Sequence, residues 1–350
     1  MSDLISRDGH LINNWYIACL ESDLRDGPIQ RTLYDQKIVL FKNKKDQKVS
    51  AFIDRCLHRM AKLSEGRIEN NCLVCPYHSW HYDENGEVTK VPSEGPTGLK
   101  GKRKIKSFPC EVKDGVVWLW MGADEPSSSP TWDFPYYGEK GWIHYYMVTD
   151  FNNEVTNLAE NFMDVPHTVS VHKGWFRNES LKKVPMTTAT SEGSVLVSYH
   201  QPDDNIGVLI RPILNPKNEP MVHTDKYIFP NITRVDYSFG SHYKYVINSQ
   251  ITPVSTMKSR VYTYIAYKIP VIGSFLKPFI SYYTRKVIEQ DVWIMDVQSE
   301  NYENEIQNPR FQSTPADEPH IQIEKLREFG IAGDEKVFST SKSVDTDIWI

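Results

Sequence analysis

The sequence predicts an α+β protein in two parts: an N-terminal all-β module, then a C-terminal domain in which an antiparallel sheet is flanked by helices. Three observations lead there. From Asn14 to Met121 short apolar runs alternate with turn chemistry. Ala123–Pro135 is rich in Ser, Pro and Asp and has no apolar period. Beyond it, runs at strand period are flanked by patterns at helical period. The expected divisions are a first domain over 1–125, a linker over 126–140 and a second domain over 141–350.

In the first part, Ile38–Phe41 and Val116–Met121 read as strands, and Lys42–Gln47, Asp83–Gly86 and Asp114–Gly115 as the turns around them. Asn85-Gly86 and Asp114-Gly115 are hairpin signals in which both turn positions are expected at positive φ. In the second part, Ser194–His200, Val208–Ile213, Thr233–Phe239, Tyr243–Ile251 and Arg260–Tyr267 alternate as strands of one sheet, with helices expected at about Val155–Val165 and Tyr282–Asn304.

Apolar residues make up 40% of the 350 and charged residues 24%, an ordinary globular composition with length enough for two domains. A net charge of −5 without a dense basic face argues against a nucleic-acid partner. Met1–Gly9 is polar and lacks the apolar stretch of a secretory signal, so the cytoplasm is the expected compartment. Tyr264–Tyr283 is interrupted by Lys268, Pro270, Lys277 and Pro278, so no membrane span is expected. Cys56, Cys72 and Cys75 fall within twenty residues of each other with His58 and His78 among them, which reads as metal binding rather than a disulfide framework.

Cys56-Leu57-His58 is followed, after sixteen residues, by Cys75-Pro76-Tyr77-His78. Each loop offers one thiolate and one imidazole, the donor set of an asymmetric [2Fe-2S] cluster in which two Cys hold one iron and two His the other. Imidazole in place of thiolate removes negative charge and raises the reduction potential. Structural zinc is the competing reading of two Cys and two His, although zinc sites more often pair Cys with Cys and His with His. Cys72 does not fit the spacing and reads as core. The four residues at this separation resemble the Rieske iron–sulfur motif. Ser79 departs from it, because the family most often has glycine after the second histidine, and a local adjustment is expected there.

Glu160, Asn161, Asp164 and His167 recur along one side of a helix. Pro166 should end or kink that helix just before His167. On an unbroken helix His167 and His172 would point about 140° apart, and a break would let them converge. Two His and one carboxylate on one face of an octahedron leave positions open for dioxygen beside a substrate. Asp291 is the preferred carboxylate, on a stripe with Val287, Ile294, Met295 and Gln298; Glu289 and Asp296 lie round the helix from it. An Asp291 paired with a nearby Lys or Arg is the plainer alternative. The run Asn161-x-x-Asp164-x-x-His167-x4-His172 is similar to the mononuclear-iron motif of Rieske oxygenase catalytic subunits, and Ile288–Asp291 ahead of Gln298 is similar to the segment that carries their carboxylate ligand.

That resemblance spans about Asn14–Asn304. It implies Fe(2+) on His167, His172 and Asp291, and electrons from NAD(P)H through a separate ferredoxin or flavin reductase. It also implies a homotrimer in which Asp164 links His78 of one subunit to His167 of the next. The length is similar to the short, alpha-only subunits, so monooxygenation by hydroxylation or oxidative demethylation is expected over dihydroxylation. An electron carrier or redox sensor without the second iron is the alternative. The basic run Lys100–Lys106 reads as a solvated strand face or a reductase dock. The aromatic Phe275–Tyr283 and Trp175-Phe176 read as core or cavity lining.

Overall fold

The structure, a computed structural model, describes residues 11–95, 102–122, 126, 128–130, 132–175, 182–200, 210–305 and 311–350. Met1–Gly9, Lys100, Ala123–Glu125, Phe176 and Val208, which bear on readings above, lie outside the described residues. The chain divides into two units, Ile12–Trp132 and the stretch from Asp133 to Ile350, with which Leu11 groups.

The first unit is built of three small antiparallel sheets. One orders Asn14–Leu20, Val116–Met121 and Cys110–Lys113; the second orders Ile29–Leu33, Gln36–Lys42, Val49–Ile53 and Ser107–Phe108; the third orders Arg67–Glu69, Cys72–Val74, His81–Tyr82 and Val88–Lys90. Gln36–Lys42 explains why the sequence shows a continuous apolar run there. Ile38 and Leu40 enter one core cluster while Val39 and Phe41 enter another, so both faces of the strand are buried. Asp114 and Gly115 both take positive φ, 54° and 77°, as the hairpin signal required. Asn85 does not. Only Gly86 is left-handed there (φ 79°), because Asp83 organises a longer turn: its Oδ1 accepts the N–H groups of Asn85 and Glu87, and its carbonyl accepts that of Gly86.

The second unit is one eight-stranded antiparallel sheet. Its order is Ile143–Phe151, Lys258–Lys268, Tyr243–Ser255, Ile232–Phe239, Met221–Ile228, Ser194–Tyr199, Lys183–Ser191 and Lys342–Trp349. The helices are α1 (Val155–Met163), α2 (Arg211–Leu214), α3 (Gly273–Glu305), α4 (Glu318–Ile331) and α5 (Lys336–Ser339). Leu158, Ala159 and Met163 of α1 bury against Tyr227, Ile251 and Val261 of the sheet and Ile323 and Leu326 of α4. Buried Arg327 fixes α4, donating to the Thr156 hydroxyl at 3.0 Å and the Tyr227 hydroxyl at 3.3 Å. Within the expected linker, Phe134 is buried and packs on Tyr146 and Tyr264.

Two expectations are corrected here. The described part of Val208–Ile213 is not strand: Arg211–Leu214 is a helical turn with Pro212 in its first positions, and proline cannot donate to a strand ladder. Helix α3 begins at Gly273, well before Tyr282, and carries Pro278 inside it near its start, where the lost backbone bond falls in the second turn. Met221–Ile228 was not foreseen as a strand. Its buried positions are Met221, His223, Asp225 and Tyr227 while Val222 is exposed, which breaks the apolar alternation that betrays a strand. No helix among the described residues is long and apolar enough to cross a membrane.

Candidate metal centres

In the first unit the two Cys–His loops close in the same way. The N–H of Cys56 donates to Ala61 O at 2.8 Å and that of Met60 to Cys56 O at 3.0 Å; in the second loop Cys75 N–H reaches Trp80 O at 2.9 Å and Ser79 N–H reaches Cys75 O at 3.2 Å. Met60 and Ser79, at matching places, are both left-handed, with φ 60° and 53°. The glycine-poor sequence thus adopts at Ser79 the backbone that glycine takes most easily.

Cys56 and Cys75 are buried, His58 is half-buried and His78 exposed. The rings of His58 and His78 lie 4.5 Å apart, and Trp80 stacks flat on His58 at 5.1 Å. His58 Nδ1 is buried with no hydrogen-bond partner, an arrangement that is costly unless something binds the nitrogen. Burial pushes the Cys75 thiol pKa up, against the backbone N–H groups of Tyr77 and His78 that favour its thiolate. Burial and then the neighbouring His78 and Arg59 pull His58 below its usual value, which keeps the imidazole neutral as a metal ligand must be. The Tyr82 hydroxyl accepts the Leu57 N–H at 3.0 Å and lies 3.2 Å from Cys56 Sγ, to which it would donate when that sulfur is a thiolate. Among the described residues the three His/Cys/Asp/Glu donors that crowd within 4.8 Å of one another are those of His167, His172 and Asp291. The loops fit a two-iron cluster.

In the second unit α1 stops at Met163, Asp164 is extended (φ −94°, ψ 103°), and Pro166–Val169 forms a 3-10 turn. The break turns His167 and His172 toward each other: their Nε2 atoms are 3.1 Å apart. Asp291 Oδ1, from α3, lies 3.4 Å from His167 Nε2 and 3.1 Å from His172 Nε2. Three adjacent ligands of an octahedral ion with bonds of about 2.1–2.2 Å would lie roughly 3.0–3.1 Å apart. The triangle is close to that, so these residues fit one ion. Burial alone would raise the Asp291 pKa, but His167 and His172 outweigh it and hold the carboxyl below its usual value. Burial likewise opposes a charge on His167, yet Asp164 and Asp291 lift it to about 9. The Asp164 carboxylate stands 3.6 Å from His167 Nδ1, an ion-pair separation longer than a hydrogen bond. Of the other two carboxylates, Glu289 pairs with Lys286 on the surface, and Asp296 takes the Asn152 amide.

A cavity of about 120 Å³ opens beside the triad, comparable with the ~150 Å³ void that holds one benzene. Phe151, Phe162, Val235, Ile247, Val287 and Ile288 give it apolar walls. Asn161, Asp164 and His167 also border a second cavity, which Asp317, His320 and Glu324 line as well. Sequence reasoning passed over Gln290, whose side-chain oxygen holds His172 Nδ1, and over His223 and Asp225, which period-two counting through Met221–Ile228 would have placed inward. Phe275, Phe279 and Tyr282 are exposed and line neither cavity. Of the basic run, Lys102, Lys104 and Lys106 are exposed. Arg103 instead pairs with Glu94 and lies over Trp80, 5.1 Å from the ring centre.

Residues 14–109 match the Rieske [2Fe-2S] domain, and residues 151–328, just over half of the chain, match the vanillate O-demethylase oxygenase C-terminal domain. The chain is 28% identical over 212 residues to the oxygenase component of dicamba O-demethylase from Stenotrophomonas maltophilia, covering 60% of this chain and 61% of that protein. It is 25% identical over 293 residues to aminopyrrolnitrin oxygenase PrnD from Pseudomonas fluorescens, covering 76% of this chain and 77% of that one. The match to chlorophyllide a oxygenase of Arabidopsis thaliana spans only 31% of its length. The crystal structure of dicamba monooxygenase bound to dicamba superposes with a TM-score of 0.82 at 18% identity, over 93% of this chain and 98% of that one, which establishes the fold.

Proposed function

The chain belongs to the Rieske non-haem iron oxygenases, and from that premise we propose that it hydroxylates or oxidatively demethylates a small organic substrate, with electrons from NAD(P)H through a separate reductase or ferredoxin. When bound, a [2Fe-2S] cluster on Cys56, His58, Cys75 and His78 supplies single electrons, and Fe(2+) on His167, His172 and Asp291 supplies the centre at which dioxygen is activated. The observation that carries the reading is the convergence of His167 Nε2, His172 Nε2 and Asp291 Oδ1 at the side of an apolar cavity.

The chain's residues have separable tasks. Gln290 fixes the ring of His172, and the apolar walls of the cavity exclude water and leave room for a ring-sized substrate. Asp164 holds His167 from the side away from the triad. In a homotrimer, Asp164 would also accept from His78 of a second subunit, joining the two metal sites by hydrogen bonds. Exposure of His78 and the second cavity beside Asp164 support this role. An electron carrier would need the loops alone and would have no use for the triad or the cavity.

The test is an anaerobic iron and sulfide count, with an electron paramagnetic resonance spectrum of the dithionite-reduced protein, on wild type and His167→Ala. A Rieske-type signal in both, with one iron fewer in the variant, is expected. An unchanged iron count would leave a carrier, and zinc without sulfide would remove the oxygenase reading.

A further inference from the structure

The cavity beside the triad contains a carboxylate that the reaction above leaves without a task. Asp225 lines the cavity from the strand Met221–Ile228 and is 2% exposed. Its Oδ1 lies 2.8 Å from His223 Nε2, and its Oδ2 accepts the Tyr199 hydroxyl at 3.0 Å. The His223 ring is held between those of Tyr199 and Tyr237, with centroids 4.6 and 4.4 Å away and planes within 20°. Strand, stack and two hydrogen bonds together fix this carboxylate in place.

A carboxylate presents about four lone-pair directions. His223 and Tyr199 take two, and the remainder can serve a donor in the cavity. Val235 and Ile247 close to it are apolar, and the other polar groups on the sheet wall are the hydroxyls of Thr233, Tyr237, Ser249 and Thr263. Among the described residues that line this cavity there is no lysine or arginine. Asp164 and Asp291 are engaged at the triad. Even with the charge of a bound Fe(2+) at the triad, an anionic group placed against Asp225 would meet a buried carboxylate with no Lys or Arg cation beside it, whereas an N–H or O–H group would meet a fixed acceptor.

We infer that Asp225 anchors the substrate, and that the substrate is a compound of about one ring, neutral or cationic, which presents an amine or hydroxyl donor to Asp225 and carries no carboxylate or sulfonate. This rests on the oxygenase reading only in taking the cavity as the substrate's.

The experiment is calorimetric binding under argon to the protein with both metal sites loaded, using benzylamine, phenol, toluene and benzoate as probes on wild type and Asp225→Asn. In wild type, benzylamine or phenol should bind at least tenfold more tightly than toluene and benzoate, and Asp225→Asn should reduce that gap to threefold or less. A larger loss for benzylamine than for phenol would identify the donor as a cationic amine; the reverse order would identify a hydroxyl. Benzoate or toluene binding as tightly as the donors, no binding by any probe, or a gap that survives Asp225→Asn overturns the inference. If Asp225→Asn does not fold, the ranking in wild type decides. Iron and sulfide are counted on the same samples. A chain that holds no iron at the triad sinks the oxygenase reading, while the probe ranking tests Asp225 without any turnover.

Discussion

His172 is held between consecutive residues of α3: its Nδ1 lies 2.9 Å from Gln290 Oε1, and its Nε2 faces Asp291 Oδ1 at 3.1 Å. An amide oxygen only accepts, so Nδ1 carries a proton, and Nε2 is the nitrogen left to face a metal ion at the triad. The helix would thus supply a ligand, Asp291, and the group that orients another, His172, from two adjacent positions.

Replacing Gln290 by leucine should keep the fold and free the imidazole to rotate. Partners of this kind are worth about 10–100-fold in metal affinity. Ferrous ion titrated into metal-free Gln290→Leu should bind that much more weakly, with the cluster spectrum unchanged. Equal affinity in the two proteins would mean that Gln290 has no orienting role.

His167 gives the triad a pH dependence of definite sign. Its pKa in the folded, metal-free protein is raised from 6.5 to about 9, so the stability this proton confers is fully present below pH 6.5 and is lost as the pH rises through 9. Metal must displace the same proton. Ferrous uptake at about pH 7.5 should release about one proton per triad, and almost none at about pH 10. Proton release measured in weak buffer checks this, and release of the same size at both values would contradict it. The melting point of the metal-free protein should fall between pH 6.5 and 9, and His167→Asn should lack that fall.

At the other centre, the Tyr82 hydroxyl lies 3.2 Å from Cys56 Sγ and would donate to it once that sulfur is a cluster-bound thiolate. A hydrogen bond to a cluster sulfur favours the reduced, more negative form and raises the potential. With a typical net value of ~0.5–1.5 kcal/mol, and 59 mV for each tenfold change in a one-electron couple, Tyr82→Phe should lower the midpoint potential by about 20–65 mV. Spectroelectrochemical titration reads this directly; an unchanged or higher potential would show that the hydroxyl does not donate to the sulfur once the cluster is in place.

The two donor sets were legible because each ligand type is rare and its spacing informative. Cys56, His58, Cys75 and His78 lie in two short loops, and His167 and His172 follow a proline, Pro166, whose effect on a helix is local. Asp291 could be picked out because a carboxylate on a buried stripe of a long helix contradicts the stripe. What escaped had the opposite character. Met221–Ile228 hides its inward face behind His223 and Asp225, so buried polarity erased the pattern that marks a strand. The strand Lys342–Trp349 pairs with Lys183–Ser191 across most of the second unit, and no local signal encodes so distant a partner. Arg103 looked like one charge in a basic run, yet it covers Trp80, because a guanidinium can lie on a ring where an ammonium stays hydrated.

Ser79 tests how the second loop tolerates its departure from glycine. Its φ is 53°, and its N–H closes the loop on Cys75 O; Met60 does the same on Cys56 O at φ 60°. A residue with a Cβ gives up about 1–2 kcal/mol in that region, and glycine does not, although glycine's freer unfolded chain returns part of the gain. Ser79→Gly should therefore stabilise the cluster-loaded protein by up to about 1 kcal/mol. Ser79→Val should destabilise it by more than that, because a β-branched side chain is poorly tolerated at positive φ. Urea midpoints, followed by cluster absorbance under argon, decide between them. If valine is accepted as readily as glycine, the left-handed turn is not what closes the loop on its cluster.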